Sequence, residues 1–360
     1  LVYNGLLGAT PFSPNQAFTL ELLELYRVQR SRHPNYGYEP FIKSICDHQR
    51  VTYIPGMQER FARAFDVYLD IRRSADKRAD QVLGRDDPEY RAKHSCAACP
   101  KKGDKCPLTL KRLHCMDGGN SFKRRADAGG ADKRQYEPEY FAKRDYVDQF
   151  SDEGRGKERR VREAVRLART VAEGDRTGTE ARCASNWKAA NGKDQDITGC
   201  EQTGLFGVLC RHGLVEWLVE MVRSGELAKY QFACTNLVLD TYGEDQGQGY
   251  DIGCRTKGTV ERAELTGPKA KALRLQWFVD SFHGYAHERE CMLDFHPLYR
   301  YKSGVGLEDF DGMERFFSWV NRCAGLLRHA TSYRWMQFIE LTVKQWDADR
   351  YASIGTFHRN

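Results

Sequence analysis

The stretch GQGYDIGC, residues Gly247 to Cys254, sets one aspartate between an aromatic and an apolar residue, with glycine on both sides. A charge in a short apolar segment is costly unless it is hydrogen-bonded, paired or bound to a cation. The reading of Asp251 therefore decides the fold. If it closes a buried strand and meets other carboxylates, the chain is a mixed α/β protein with a metal site at its strand ends. The neighbouring sequence supports such a frame. SGELAKYQFACTNLVLDTYG (224–243) reads as a helix with Ser224 as cap and Gly243 as stop. GLFGVLCRHG (204–213) and CASNWKAAN (183–191) read as strands, and GYDIGC (249–254) as a short strand after the helix.

Two further acids stand out by context. Asp117 follows LHCM and precedes Gly-Gly-Asn. Glu314 lies in DGMERFFSWVNRCAGLL, where Phe317, Val320 and Leu327 continue a helical apolar stripe, which puts Glu314 near the first turn of a helix. Two aspartates at strand ends and a glutamate on a later helix form the pattern of an RNase-H-like two-metal site. Such a site needs clustered hard oxygen ligands around two ions ~3.5–4 Å apart. The pattern alone is open, because the chain has 50 acidic residues. An Asp-Gly turn, a strand-end hydrogen bonder and an ordinary first-turn helix acid are the alternatives.

Working outward, residues 17–85 carry helical periodicity, with Leu20, Leu23 and Tyr26 and then Phe61, Ala64, Phe65 and Leu69 on apolar faces. Residues 1–93 are expected to form a helical N-terminal region, and 94–120 a Cys-rich segment leading into the first catalytic strand. Residues 121–180 are expected to form a basic, charged insertion with a helix in KERRVREAVRLARTVAE, and 181–345 the remaining α/β core with C-terminal helices. The 360 residues are 41% hydrophobic and 29% charged, with a net charge of +6. No apolar run approaches the ~18 residues of a membrane span, so no membrane partner is expected. The N-terminus lacks the basic and apolar regions of a signal peptide. It also lacks an initiating Met, as a fragment or processed product would. Basic clusters at 101–105, 123–125 and 155–169 suit a polyanionic partner; a solvated mixed-charge surface is the alternative.

Twelve cysteines and ten histidines without a secretory signal point to thiols and metal rather than disulfides. Cys96-x2-Cys99-x6-Cys106, with His94 and Cys115 nearby, is one zinc candidate. Cys210-x-His212 with His283-x3-His287-x3-Cys291 is a second, since i, i+4 and i+8 share a helix face. Cys183 and Cys254 are further candidates for it. Buried thiols and hydrogen-bonded core histidines are the alternative in both cases.

A set of phrases in order then resembles the Kyakuja–Dileera–Zisupton (KDZ) transposases of eukaryotic mobile elements. They are WKA (187–189), TGLFGVLCRHG (203–213), GE (225–226), YDIGC (250–254), FHGYAHERECMLDFHP (282–297), GVGL (304–307) and ERFFSWVN (314–321). CAACP and MDGGN are similar to that family's Cys-rich lead-in and Asp-Gly-Asn strand. The resemblance implies an RNase-H-like DDE transposase core, with Asp117, Asp251 and Glu314 as catalytic ligands of two Mg²⁺ or Mn²⁺ ions. It also implies DNA as partner, at transposon ends and target, and a nuclear location. A homo-oligomer is compatible with that activity. The chain departs from the family pattern in two places. Asp117-Gly118-Gly119-Asn120 is one glycine longer, and Asp309-Phe310-Asp311 stands where an Asp-Gly-Glu is usual, which makes Asp311 an alternate to Glu314. A domesticated relative that binds DNA without cutting it, and a metal-dependent nuclease of the same fold, remain open alternatives.

Overall fold

The structure is a computed structural model that describes residues 1–153 and 199–357. The helix expected in 157–173, the strand expected at 183–191 and Cys183 lie outside the described residues. The described part divides into two compact units, residues 1–90 and 91–360.

In the first unit, β1 (Leu6–Gly8) and β2 (Ala17–Thr19) pair antiparallel. They lead into α1 (Leu20–Arg32), α2 (Tyr38–Gln49) and α3 (Met57–Val82). Thr19 caps α1 by accepting the Leu22 N–H, satisfying one of the donors that a helix start leaves open. The apolar stripes read from the sequence meet here. Tyr26 lies within 5.3 Å, ring centre to ring centre, of Phe41, Phe61 and Phe65, and all four are buried.

The second unit is built on a mixed sheet. Its strands are β3 (Arg112–Gly119), β4 (Arg124–Arg125), β5 (Cys200–Cys210), β6 (Val215–Val222), β7 (Gln246–Gly249) and β8 (Gln276–Phe278). The spatial order is β6-β5-β3-β7-β8, with β4 beside the start of β5. β5 runs antiparallel to β3 and β6, whereas β3, β7 and β8 are parallel. Alternation along the strands divides the core into two layers. Leu113, Cys115, Leu205 and Leu209 pack with α10 (Gly312–Val320) and α11 (Ser332–Phe357), through Met313, Phe316, Trp335 and Ile339. Met116, Phe206, Val208 and Val219 pack with α5 (Ala228–Tyr242), through Tyr230, Phe232 and Val238. Phe122, Tyr140, Phe141 and Phe150 are also buried, so the described part of the segment read as an insertion supplies core. Between these elements lie α4 (Arg144–Asp148), α6 (Gly253–Glu261), α7 (Thr266–Ala272), α8 (Ser281–Gly284) and α9 (Arg289–Phe295). Among the described residues no helix is long and apolar enough to cross a membrane.

Three local expectations are corrected. Ser224 is not the cap of α5. That helix begins at Ala228 with Leu227 at the cap position, and the Ser224 hydroxyl instead pairs with the Tyr230 hydroxyl at 2.7 Å. Gly243 does close the helix, with φ 82°. GYDIGC is not a strand, because β7 is the preceding Gln246–Gly249 and Asp251 lies in the turn into α6. The glycines of that strand leave room for Leu113 and Phe310 to pack on it; the alternating segment begins three residues earlier, at Gln246. The face proposed for His283, His287 and Cys291 does not exist either. Residues 285–288 separate α8 from α9, so only His287 and Cys291 come together.

Candidate functional site

The parallel ladder between β3 and β7 pairs Arg112 with Gln246 and ends at Cys115 with Gly249. Asp117 and Asp251 each stand two residues beyond that last pair, at the carboxyl ends of neighbouring strands. Strands in a sheet lie ~4.8 Å apart, so the ladder delivers both carboxylates to one place. Each is held by the next residue's backbone: the Gly118 N–H donates to Asp117 Oδ1 at 2.7 Å, and the Ile252 N–H to Asp251 Oδ1 at 2.7 Å.

A third carboxylate joins them that the sequence reading passed over. Glu226 sits in the loop between β6 and α5, and its Oε1 accepts from the Tyr250 hydroxyl at 2.8 Å. A Cβ on Gly118 would lie 2.6 Å from Glu226 Cδ, and one on Gly119 would lie 2.9 Å from the Phe317 ring. The two glycines after Asp117 therefore let Glu226 and α10 close on the end of β3. The GE pair at 225–226 was visible in the sequence. It is one of the phrases that resemble the family, but an acid beside a helix start is so common that its chemistry alone did not mark it as a ligand.

Burial raises all three acids, and neighbouring charges add to it at Asp117 and Asp251. Asp117 is pushed well above the ordinary carboxylate range by burial, then by Glu226 and Asp251. Asp251 is pushed up to about 7 by burial and Glu226, and burial raises Glu226. Glu314 lies in the first turn of α10, exposed. Met313, Phe316, Phe317 and Val320 bury the opposite face. The Glu314 charge is the smallest of the contributions to the raised values of Asp117 and His283.

Asp311 occupies a different setting. It precedes α10, accepts the Phe282 N–H at 3.2 Å and faces Asp280 and Asp309, and burial with those charges pushes it up to about 6. Asp280 caps α8 and holds His283 Nδ1 at 2.9 Å, raising its pKa. Arg315 makes a two-pronged ion pair with Asp309 at 2.8 and 2.9 Å.

The cysteines and histidines regroup. Cys96, Cys99, Cys210 and His212 place their ligand atoms within 4.8 Å of one another, and Cys254, His287 and Cys291 do the same. Both groups can hold a metal ion such as zinc. His212 Nδ1 lies 3.4 Å from Cys96 Sγ and 3.3 Å from Cys99 Sγ. His287 Nδ1 lies 3.5 Å from Cys254 Sγ and 3.3 Å from Cys291 Sγ. The Cys254 thiol is brought down to about 5 by Cys291 and His287, a metal-ready environment. The sequence reading joined Cys210 and His212 to the His287 set. The fold instead carries them on the turn after β5 to the Cys96–Cys99 segment. Cys106, Cys115, His94 and His283 lie outside both groups: Cys115 is buried in the sheet core and its thiol is raised by burial, while His283 is held by Asp280.

Beneath the carboxylates runs a buried polar network. Glu216 meets Arg112 at 2.6 Å and His114 at 2.6 Å, and His114 Nε2 meets Gln246 Oε1 at 2.8 Å. The Arg112 guanidinium also lies 3.7 Å over the Tyr242 ring. These contacts tie β3, β6, β7 and α5 together behind the site.

No curated protein and no solved structure matches the chain. The model of one family, described as the Kyakuja-Dileera-Zisupton transposase, matches residues 110–347, more than half of the sequence.

Proposed function

This chain belongs to the Kyakuja-Dileera-Zisupton transposase family, and from that premise we propose that it is the catalytic region of a DDE-type DNA transposase. The observation that carries this reading is the placement of Asp117 and Asp251 two residues past the last pair of the parallel β3–β7 ladder, with Glu314 on the helix packed over the end of β3. The strand order β6-β5-β3-β7-β8, antiparallel for the first three and parallel from β3 on, supports an RNase-H-like core.

The donor set fits divalent metal. Buried carboxylates that raise one another's pKa are relieved by a cation, and hard oxygen ligands select Mg²⁺ or Mn²⁺. Asp117, Asp251 and Glu314 are the proposed ligands. Bound there, two such ions would supply activation of the attacking oxygen and stabilisation of the leaving one. The protein's own part is positional. The ladder and the two backbone N–H bonds hold the aspartates before substrate arrives, and the exposed face of α10 brings Glu314 to them. Phosphodiester hydrolysis would free a 3′-OH at a transposon end, and that hydroxyl would then attack target DNA in line. The basic stretch 155–169 is the proposed backbone contact, salt-sensitive and blind to sequence. The chain would act in the nucleus, where its substrate is.

Both Cys/His groups are proposed zinc sites. Cys96, Cys99, Cys210 and His212 form a complete four-ligand set, the closed type that stabilises folding. Cys254, three residues after Asp251, ties the second group to the turn that carries this aspartate.

The test is cleavage of labelled DNA with Mg²⁺ or Mn²⁺ by the wild type, Asp251→Ala and Glu314→Ala. Loss of cleavage in both variants, with folding intact, supports the reading. A wild type that binds DNA in a salt-sensitive way but never cuts it would make the chain a transposase-derived binding protein. Cleavage without joining of a pre-cut end would make it a nuclease.

A further inference from the structure

We infer that Glu226 is a fourth carboxylate of the metal site, ligating a divalent cation together with Asp117 and Asp251. The inference rests on the two-metal reading above and extends it to a residue outside the expected triad.

Three observations converge. The first is position. Glu226 lies directly over Gly118, the residue after Asp117, and a side chain as small as Ala there would collide with its carboxyl group. It is also bonded to Tyr250, the residue before Asp251. Glu226 thus touches the immediate neighbours of both aspartates. The second is that an ordinary structural role does not account for it. Glu226 is not a first-turn helix acid, because Leu227 is the cap residue and α5 begins at Ala228. Among the described residues no Lys or Arg forms an ion pair with Glu226, Asp117 or Asp251; their polar contacts there are the Tyr250 hydroxyl and backbone N–H groups. The third is energetic. Acids brought together in a poorly solvated place repel one another: burial raises all three, Glu226 and Asp251 raise Asp117 further, and Glu226 raises Asp251 further. A fold that gathers them without a compensating cation loses stability. With a divalent cation the same arrangement is a ligand set. One oxygen of Glu226 is held by Tyr250, and a carboxylate has lone pairs for a cation besides.

The test uses the full chain, dialysed free of magnesium without chelator so that any zinc stays bound, and Mn²⁺ alone as probe. Affinity is read by calorimetry and thermal melting is followed with and without Mn²⁺, for the wild type, E226Q, D251N and G118A. The expected result is Mn²⁺ binding weakened about tenfold or more in E226Q as in D251N. Without Mn²⁺ E226Q should melt no lower than the wild type, because a repulsive charge is gone, and its gain in melting temperature on adding Mn²⁺ should shrink. G118A keeps the carboxylate but displaces it, so it should bind Mn²⁺ more weakly too, and it decides the matter if E226Q does not fold. Wild-type affinity in E226Q and G118A, with loss in D251N, would exclude Glu226 and leave the two-metal reading standing. Equal binding by the wild type and D251N, or none by either, would overturn that reading and this inference with it.

Discussion

Asp117 and Asp251 are 134 positions apart in the chain, and each stands two residues past the last paired residues, Cys115 and Gly249, of the parallel β3–β7 ladder. Parallel pairing is what makes this possible. Two parallel strands run toward the same edge, so residues just past the last pair reach that edge together, Asp117 still beside β5 and Asp251 in the turn into α6, whereas antiparallel neighbours would send them to opposite edges.

Glu314, not Asp311, should act as the third ligand. Asp311 faces Asp280 and Asp309 and receives the Phe282 N–H, whereas the Glu314 charge is felt at Asp117. Glu314→Gln should lower metal-dependent DNA cleavage by on the order of 100-fold or more, about 2.7 kcal/mol of transition-state stabilisation. Asp311→Asn should stay within a few-fold of the wild type. Single-turnover rates on a labelled end decide between them, and the opposite ranking would move the role to Asp311.

Zinc should co-purify with the chain. Cys210→Ser opens the four-ligand group of Cys96, Cys99, Cys210 and His212, and should lower both zinc content and melting temperature. Cys291→Ser should lower zinc content while disturbing chiefly the turn around Asp251, since its partner Cys254 follows that residue closely. Elemental analysis of the purified variants reads the first quantity and thermal melting the second. Unchanged zinc content in both variants would exclude these groups as the sites.

The Glu216 network should matter for stability. Its carboxylate is fully buried between Arg112 and His114, so Glu216→Ala leaves a buried guanidinium without its counter-charge. The expected loss is about 3–5 kcal/mol, the usual result of breaking a buried pair from one side. Urea unfolding midpoints give the value. A loss below about 1 kcal/mol would mean that the surroundings repack or solvate Arg112.

Asp347 should impose a pH dependence of known sign. It accepts the Val215 N–H and the Tyr140 hydroxyl, but burial dominates and pushes it from 3.8 up to about 6. Between those values the folded chain holds more protons than the unfolded one. The contribution of Asp347 to stability is therefore present at low pH, falls as pH rises from about 4 to about 6, and levels off above that. Asp347→Asn cannot ionise, so relative to the wild type it should gain on the order of 2 kcal/mol over that window. Parallel stability-against-pH curves for the two proteins would exclude this assignment.

Much of this molecule is written locally. The apolar stripes of α1 and α3, the strand-like apolar run of β5, the stop at Gly243 and the separate contexts of Asp117, Asp251 and Glu314 depend on residues near one another in the chain, where local pattern leaves a direct trace. The ordered phrases around Asp251 and Glu314 carried the family. What local pattern could not carry is which distant residues meet. Cys210 and His212 resemble partners for His287 as readily as for Cys96 and Cys99, and only the turn after β5 chooses between them. His283 sits at helical spacing from His287, yet a break at 285–288 hands it to Asp280. Glu226 belongs to the short GE phrase, but nothing local gives it a ligand's place; it becomes a neighbour of Asp117 because Gly118 lacks a side chain and α5 packs on that face of the sheet. Residue type and period thus determined the elements and the kind of chemistry. The ladder register, the glycine contacts and the helix breaks decided the partners, because proximity between remote residues comes from packing and strand pairing, which no single segment encodes.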